Sequence, residues 1–176
     1  DATIAPLITT RQRAALFGEY RQRFPGGAFA TDGSITYVRR TDNLDREQSG
    51  DEIRGHLFGR LRYDIDRNWR AGFDGAFVSD KTYLRRYNVY SGDTLASSAF
   101  GEGFFDRHYA RIRLLHFRTL RQQEEQERLP YVLPLAEFRA VGDPVGQWGR
   151  WHFDSSVLVL GRTEGGESRR LSLTGG

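Results

Sequence analysis

From Ile53 to Asp66 the chain changes character at every residue. Ile53, Gly55, Leu57, Gly59, Leu61, Tyr63 and Ile65 fall on one side of an extended chain, and Arg54, His56, Phe58, Arg60, Arg62, Asp64 and Asp66 on the other. Past Arg67-Asn68 the pattern resumes, with Trp69, Ala71, Phe73, Gly75 and Phe77 against Arg70, Gly72, Asp74, Ala76 and Val78. Successive side chains of a strand point to opposite faces. A period of two sustained this long therefore demands a sheet that meets a different solvent on each face.

The same reading along the chain predicts strands over 2–9, 14–24, 28–38, 53–65, 69–78, 94–105, 109–119, 131–141, 148–160 and 167–174. Most are longer than the roughly five or six residues usual in soluble sheets. They match the roughly nine to eleven that a tilted strand needs to cross a bilayer. The connections alternate in length. Pro25-Gly26-Gly27, Asp66-Arg67-Asn68, Asp106-Arg107-His108 and the stretch from Gly142 to Gln147 are short. Arg39–Glu52, Ser79–Asp93 and the charged run Arg121–Arg128 are long. Short turns on one side and long loops on the other are the outer-membrane barrel pattern, the short turns facing the periplasm. Aromatic residues gather at both ends. Phe24, Phe29, Tyr63, Trp69, Phe105, Tyr109, Trp148 and Trp151 lie near the short turns, and Tyr37, Phe77, Phe117 and Tyr131 near the long loops. Amphipathic rings prefer the two membrane interfaces.

Composition is compatible with this and removes several other classes. No stretch of the chain approaches 18 consecutive apolar residues, so a transmembrane helix is excluded. A negative mean hydropathy does not argue against a barrel, whose strands alternate and so look hydrophilic on average. The absence of cysteine rules out a disulfide framework and any cysteine metal site in this segment. Of the 26 basic residues all but Lys81 are arginine, at a net charge of only +3. They are spread at alternating positions instead of forming one basic patch, which argues against nucleic acid as a partner. The chain opens on Asp1 with no leader, and is expected to be an internal segment of a longer protein.

The polar face carries its own register. Pairing the strands about Arg67 sets Asp64 across from Arg70 and Arg60 across from Asp74, while a two-residue turn at Asp106-Arg107 sets Glu102 across from Arg111. Opposite charges across a ladder contribute about 0.2–1 kcal/mol each. Arg54, Arg62, Arg113 and Arg139 find no carboxylate directly opposite in this scheme. Arg54, Arg60, Arg62, Asp64, Arg70, Asp74, Glu102, Arg111 and Arg113 are the candidate lumen-lining residues. The four unmatched arginines suit a lumen that passes an anionic, phosphate-bearing substrate.

No catalytic constellation is visible. His56, His108, His116 and His152 lack metal-ligand spacing, there is no G-x-S-x-G elbow or P-loop, and Gly101-Glu102-Gly103 lacks a strand-then-helix context. No cofactor is implied. An outer-membrane enzyme would need a clustered Ser–His or His–Asp set, which sequence order alone does not reveal.

Certain stretches are familiar. Asp1-Ala2-Thr3-Ile4-Ala5-Pro6 followed by Gly18-Glu19-Tyr20-Arg21, then Val78–Tyr87 with the form S-D-x-x-[FY]-L-R-x-[FY], then Leu133–Phe138, then Arg162–Leu171 occur in an order that resembles the LptD (OstA/Imp) family of lipopolysaccharide-assembly proteins. The resemblance implies a very large outer-membrane barrel preceded by a periplasmic β-jellyroll. It also implies an LptE-type lipoprotein plug in the lumen and the bridge protein LptA as the source of lipopolysaccharide. The cargo would leave into outer-membrane lipid through a lateral opening. No catalytic residue is expected, because the energy comes from an inner-membrane ATPase. Pro6 corresponds to a proline in an early strand near the opening, where loss of a ladder donor weakens pairing. The family's disulfide cysteines have no counterpart here, as expected if the jellyroll and the closing strands lie outside this segment.

The expected fold is thus all-β, an antiparallel up-and-down transmembrane barrel. Residues 1–176 would contribute about ten strands of it as part of one domain. A porin-like channel shares these strand physics, and a soluble β-sandwich would pack the apolar face inward. Expressed alone, the segment is expected not to close. A monodisperse ten-stranded species with heat-modifiable gel mobility would overturn that expectation.

Overall fold

The computed structural model describes residues 1–8, 14–41, 47–121, 131–144, 149–161 and 168–176, the side chains of 38–51 and of 133 excepted. Ten strands follow one another: β1 (Ala2–Leu7), β2 (Ala15–Phe24), β3 (Gly27–Thr41), β4 (Glu47–Asp64), β5 (Trp69–Val78), β6 (Thr94–Phe105), β7 (His108–Thr119), β8 (Tyr131–Pro144), β9 (Arg150–Gly161) and β10 (Ser168–Gly175). A single helical turn, α1 (Tyr83–Arg86), interrupts them between β5 and β6. The strands form one sheet in chain order, every pairing antiparallel. All ten expected strands are present.

Turn chemistry sets the short connections. Gly26 adopts φ +79°, the left-handed backbone that the third position of a Pro-Gly turn requires. Asp66 Oδ1 accepts the N–H groups of Asn68 (2.7 Å) and Trp69 (2.8 Å), closing the β4–β5 turn through a side chain. Asp106 takes φ +45° at the β6–β7 turn, a conformation that aspartate tolerates better than most residues.

One expected loop is smaller than its sequence suggests. Arg39–Glu52 reads as a long polar connection, yet β3 and β4 stay paired through Arg39↔Asp51 and Thr41↔Glu47. The alternation that marks a strand needs an apolar face, and that face ends near Tyr37 and Ile53. Backbone N–H and C=O groups still gain from pairing beyond it.

The registers put the apolar series on one face. Leu57 (53% exposed), Phe77 (56%) and Ile112 (50%) exemplify a surface on which Ile4, Leu16, Ile35, Trp69, Phe73, Phe138, Phe153, Val157 and Leu171 are also exposed. A soluble domain rarely leaves so extended an apolar surface uncovered. Ring pairs reinforce its turn-side margin, Phe24 with Tyr63 (centroids 6.1 Å apart) and Trp69 edge-on to Phe105 (5.3 Å). Tyr109 does not join that margin. It shares the other face with Glu102, whose carboxylate accepts its hydroxyl at 3.1 Å. Trp148 lies outside the described residues.

The polar face curves inward. A cavity of about 790 Å³ on it is lined by residues from β2 to β6, among them Glu19, Arg21, Asp32, Arg60, Asp74 and Thr94, together with Tyr90 of the β5–β6 connection. Strands so far apart share one hollow only if the sheet bends toward that side.

A charge on the apolar face is therefore expected to be costly. In the full-length protein, Phe73→Arg, near the middle of the β4–β5 ladder, should lower the unfolding free energy in bilayers by about 2–4 kcal/mol. Ser98→Arg, on the polar face opposite Asp74, should change it little. Equal effects from the two in urea unfolding would contradict the assignment of faces.

Candidate functional site

The polar face is a charge lattice built by register. Asp64 lies opposite Arg70 and Arg60 opposite Asp74, and both are ion pairs, at 2.8 and 3.2 Å. Glu102 lies opposite both Arg70 and Arg111, but its carboxylate is 3.7 Å from Arg70 and is otherwise taken by Tyr109.

Three arginines that seemed unmatched have partners. Arg62 reaches diagonally to Asp74 at 2.7 Å. Arg139 pairs with Asp154, which the β8–β9 ladder places directly across from it. That register could not be read from sequence, because β8 slips against β9 between Val141 and Pro144. Arg54 donates to Asp80 (Nε to Oδ2, 2.6 Å) and to Thr82 Oγ1 (3.0 Å), both in the connection after β5. Arg113 has no carboxylate opposite it among the described residues: it stands between Phe100 of β6 and Leu135 of β8.

The β5–β6 connection is the second part of the site. Sequence reads Ser79–Asp93 simply as a long loop, but it folds onto the polar face over β3 and β4. Tyr83 and Leu84 are fully buried and pack with Val78, Leu95 and Leu120. Burying two such side chains contributes about 1.5–3 kcal/mol each. Polar ties then fix the orientation. Tyr83 Oη meets Ser34 Oγ at 2.8 Å, and Tyr87 Oη donates to Thr36 Oγ1 at 3.3 Å. Asp80 accepts the N–H of Thr82 (2.9 Å) as well as hydroxyls from Thr82 and Ser79. Ser79 Oγ in turn accepts the N–H of Gly55. Every distinctive residue of the S-D-x-x-Y-L segment thus has a structural partner. Burial acts to raise the Asp80 carboxyl, but the Arg54 guanidinium and the Thr82 and Ser79 donors outweigh it and hold the group well below the usual carboxylate range.

Beneath this flap Ser34, His56 and Asp32 meet. Ser34 Oγ is 2.6 Å from His56 Nδ1, and His56 Nε2 is 3.5 Å from Asp32 Oδ2. The residue types are those of a hydrolytic triad. The geometry does not serve that chemistry. Ser34 is buried, its hydroxyl is shared with Tyr83, and α1 covers the approach. The trio anchors the flap. Among the described residues no group of three or more His, Cys, Asp or Glu side chains is arranged to hold a metal ion.

An antiparallel sheet in strict chain order, with an exposed apolar face, a charged concave face and strands mostly of ten residues or more, is the architecture of an outer-membrane barrel wall. The family model for LptD, LPS transport system D, matches residues 52–174, and the chain belongs to that family. It is thereby a member of a lipopolysaccharide-transport family associated with the outer membrane, and that family is one of transport proteins, not of enzymes. The matched range contains the Val78–Tyr87 and Leu133–Phe138 segments and the Arg162–Leu171 region, of which 162–167 lie outside the described residues. Curated proteins returned no match to the chain.

The Asp80 tie predicts a pH response. Because its folded carboxyl titrates below the unfolded value of 3.8, the stabilisation is complete above that value and is lost only as pH falls through the folded one. Hydrogen exchange of the Tyr83–Tyr87 amides, corrected for intrinsic rates, should be flat from pH 5 to 8. Asp80→Asn leaves Arg54 without its charge partner and should speed that exchange about tenfold or more. Unchanged exchange would show that packing of Tyr83 and Leu84 holds the flap without the ion pair.

Proposed function

We propose that the ten strands are a stretch of the wall of an outer-membrane lipopolysaccharide conduit, with the charged face lining its lumen. One observation carries this reading: a single continuous ladder separates an apolar exposed face from a concave face of matched charges. Outer-membrane lipid would contact Leu57, Phe73 and Ile112. Arg54, Arg60, Arg62, Asp64, Arg70, Asp74, Glu102, Arg111 and Arg113 would face the lumen, which an LptE-type lipoprotein would plug. The short turns would face the periplasm, where LptA would deliver lipopolysaccharide by way of a jellyroll. The flap over β3 and β4 would then narrow the outer mouth.

Pro6 sits on β1, the terminal strand of the described sheet, opposite Leu16. It lacks the N–H that a ladder residue offers, which suits a seam that must part to release cargo sideways.

The test uses the full-length protein with a photoreactive residue at Ala30 on the polar face or at Leu57 on the apolar face. Lipopolysaccharide adducts are expected at Ala30, and phospholipid adducts at Leu57. A protein that fractionates as soluble without detergent, or that gives no lipopolysaccharide adduct at any polar-face position, would sink the reading.

A further inference from the structure

Two guanidinium groups from different strands lie over one aromatic ring, and a third arginine stands in register beside it. Phe100 of β6 lies on the polar face, opposite Gly72 of β5 and Arg113 of β7. A Cβ at Gly72 would collide with that ring and come within 3.1 Å of Arg62 Cδ, so Phe100 lies across β5 toward β4 and glycine makes the space. Arg62 of β4 then stands 5.2 Å from the ring centroid, and Arg111 of β7 stands 5.6 Å from it. Cation–π contacts of this kind contribute about 0.5–2 kcal/mol.

The charge in this patch is not balanced from within. Arg62 is matched by Asp74. Arg111 has Glu102 and Glu137 in register on its two sides, yet among the described residues it forms an ion pair with neither. Arg113 has a phenyl ring on one side and Leu135 on the other. The Nε atoms of Arg111 and Arg113 are both buried without a hydrogen-bond acceptor. Arg111 also hydrogen-bonds the Tyr109 hydroxyl, but crowding like charges and leaving the two Nε donors unmet still costs free energy that the wall does not return. Both side chains are partly exposed on the polar face, and an anion meeting their outer nitrogens there would offset the charge.

We infer that Arg111 and Arg113, held in place by Phe100, Gly72 and Arg62, form a binding station for a phosphate group on the transported glycolipid. Two guanidinium groups two residues apart on one strand, about 7 Å in rise, offer a pair of planar forks. That arrangement suits a doubly charged phosphate better than a singly charged carboxylate. The inference rests on the conduit reading and narrows it to one patch and one chemical group.

The test places a photoreactive residue at Ser98 in the full-length protein, reconstituted in phosphatidylethanolamine–phosphatidylglycerol vesicles. The probes are lipopolysaccharide with its phosphates and the same material after dephosphorylation. Phosphorylated probe should give the stronger adduct. Arg111→Gln with Arg113→Gln should lower that adduct about tenfold, and the two lysine substitutions should restore part of it. Heat-modifiable mobility of each variant confirms folding. Equal adducts from both probes, or no response to the double substitution, would overturn the station. So would a Ser98 adduct to a partner protein that alone responds to the arginines, since the counter-charge would then be a partner carboxylate. Adducts at Ala30 without any at Ser98 would remove the station and leave the conduit standing. Adducts at neither would remove both.

Discussion

Each strand from β2 to β9 hydrogen-bonds to a neighbour on both sides, and that unbroken ladder is the constraint on which everything else in the chain depends. Inside a bilayer no water is available to satisfy a backbone N–H or C=O, so a spanning sheet must satisfy its own. Once the ladder does so, the side chains are free to serve two solvents. Leu61 and Phe73 face one way, and Arg60 and Asp74, each one residue away, face the other. The short turns at Pro25-Gly26 and Asp66–Asn68 matter because a slip of one residue would exchange those faces along a whole strand.

The charges on the concave face follow the ladder instead of competing with it. Asp64–Arg70, Arg60–Asp74 and Arg139–Asp154 are pairs that register places side by side, so little is spent in bringing them together. Their individual contribution is modest, since most of these side chains are well exposed to water. Their collective effect is a face that is strongly polar yet nearly balanced. Against that background Arg111 and Arg113 stand out as the place where balance is missing.

The connection over Ser79–Asp93 shows a different use of the same face. It hides Tyr83 and Leu84 on a surface otherwise given to charge, and it ties the β5–β6 hairpin to β4, the neighbour of β5, and to β3 beyond it. Arg54 is central to this. Its charge is turned to a loop carboxylate, and so it is a structural clamp on the polar face.

Periodicity was enough to find all ten strands, because a two-sided sheet writes its exposure pattern directly into alternate residues. The β4–β5 and β6–β7 registers were also legible, since a tight turn leaves only one pairing open. Three things were not. The extension of β3 and β4 past Tyr37 and Ile53 carries no apolar face and so no signal. The Arg139–Asp154 pair depends on an irregularity in the β8–β9 ladder. The flap depends on contacts between Tyr83 and Ser34, 49 residues apart. The sequence by itself determined a β-sheet with one face for lipid and one for water, because strand geometry is local. Which charges stay paired, and which loop folds back to cover them, was decided only by the tertiary structure, because those contacts join residues that no local period connects.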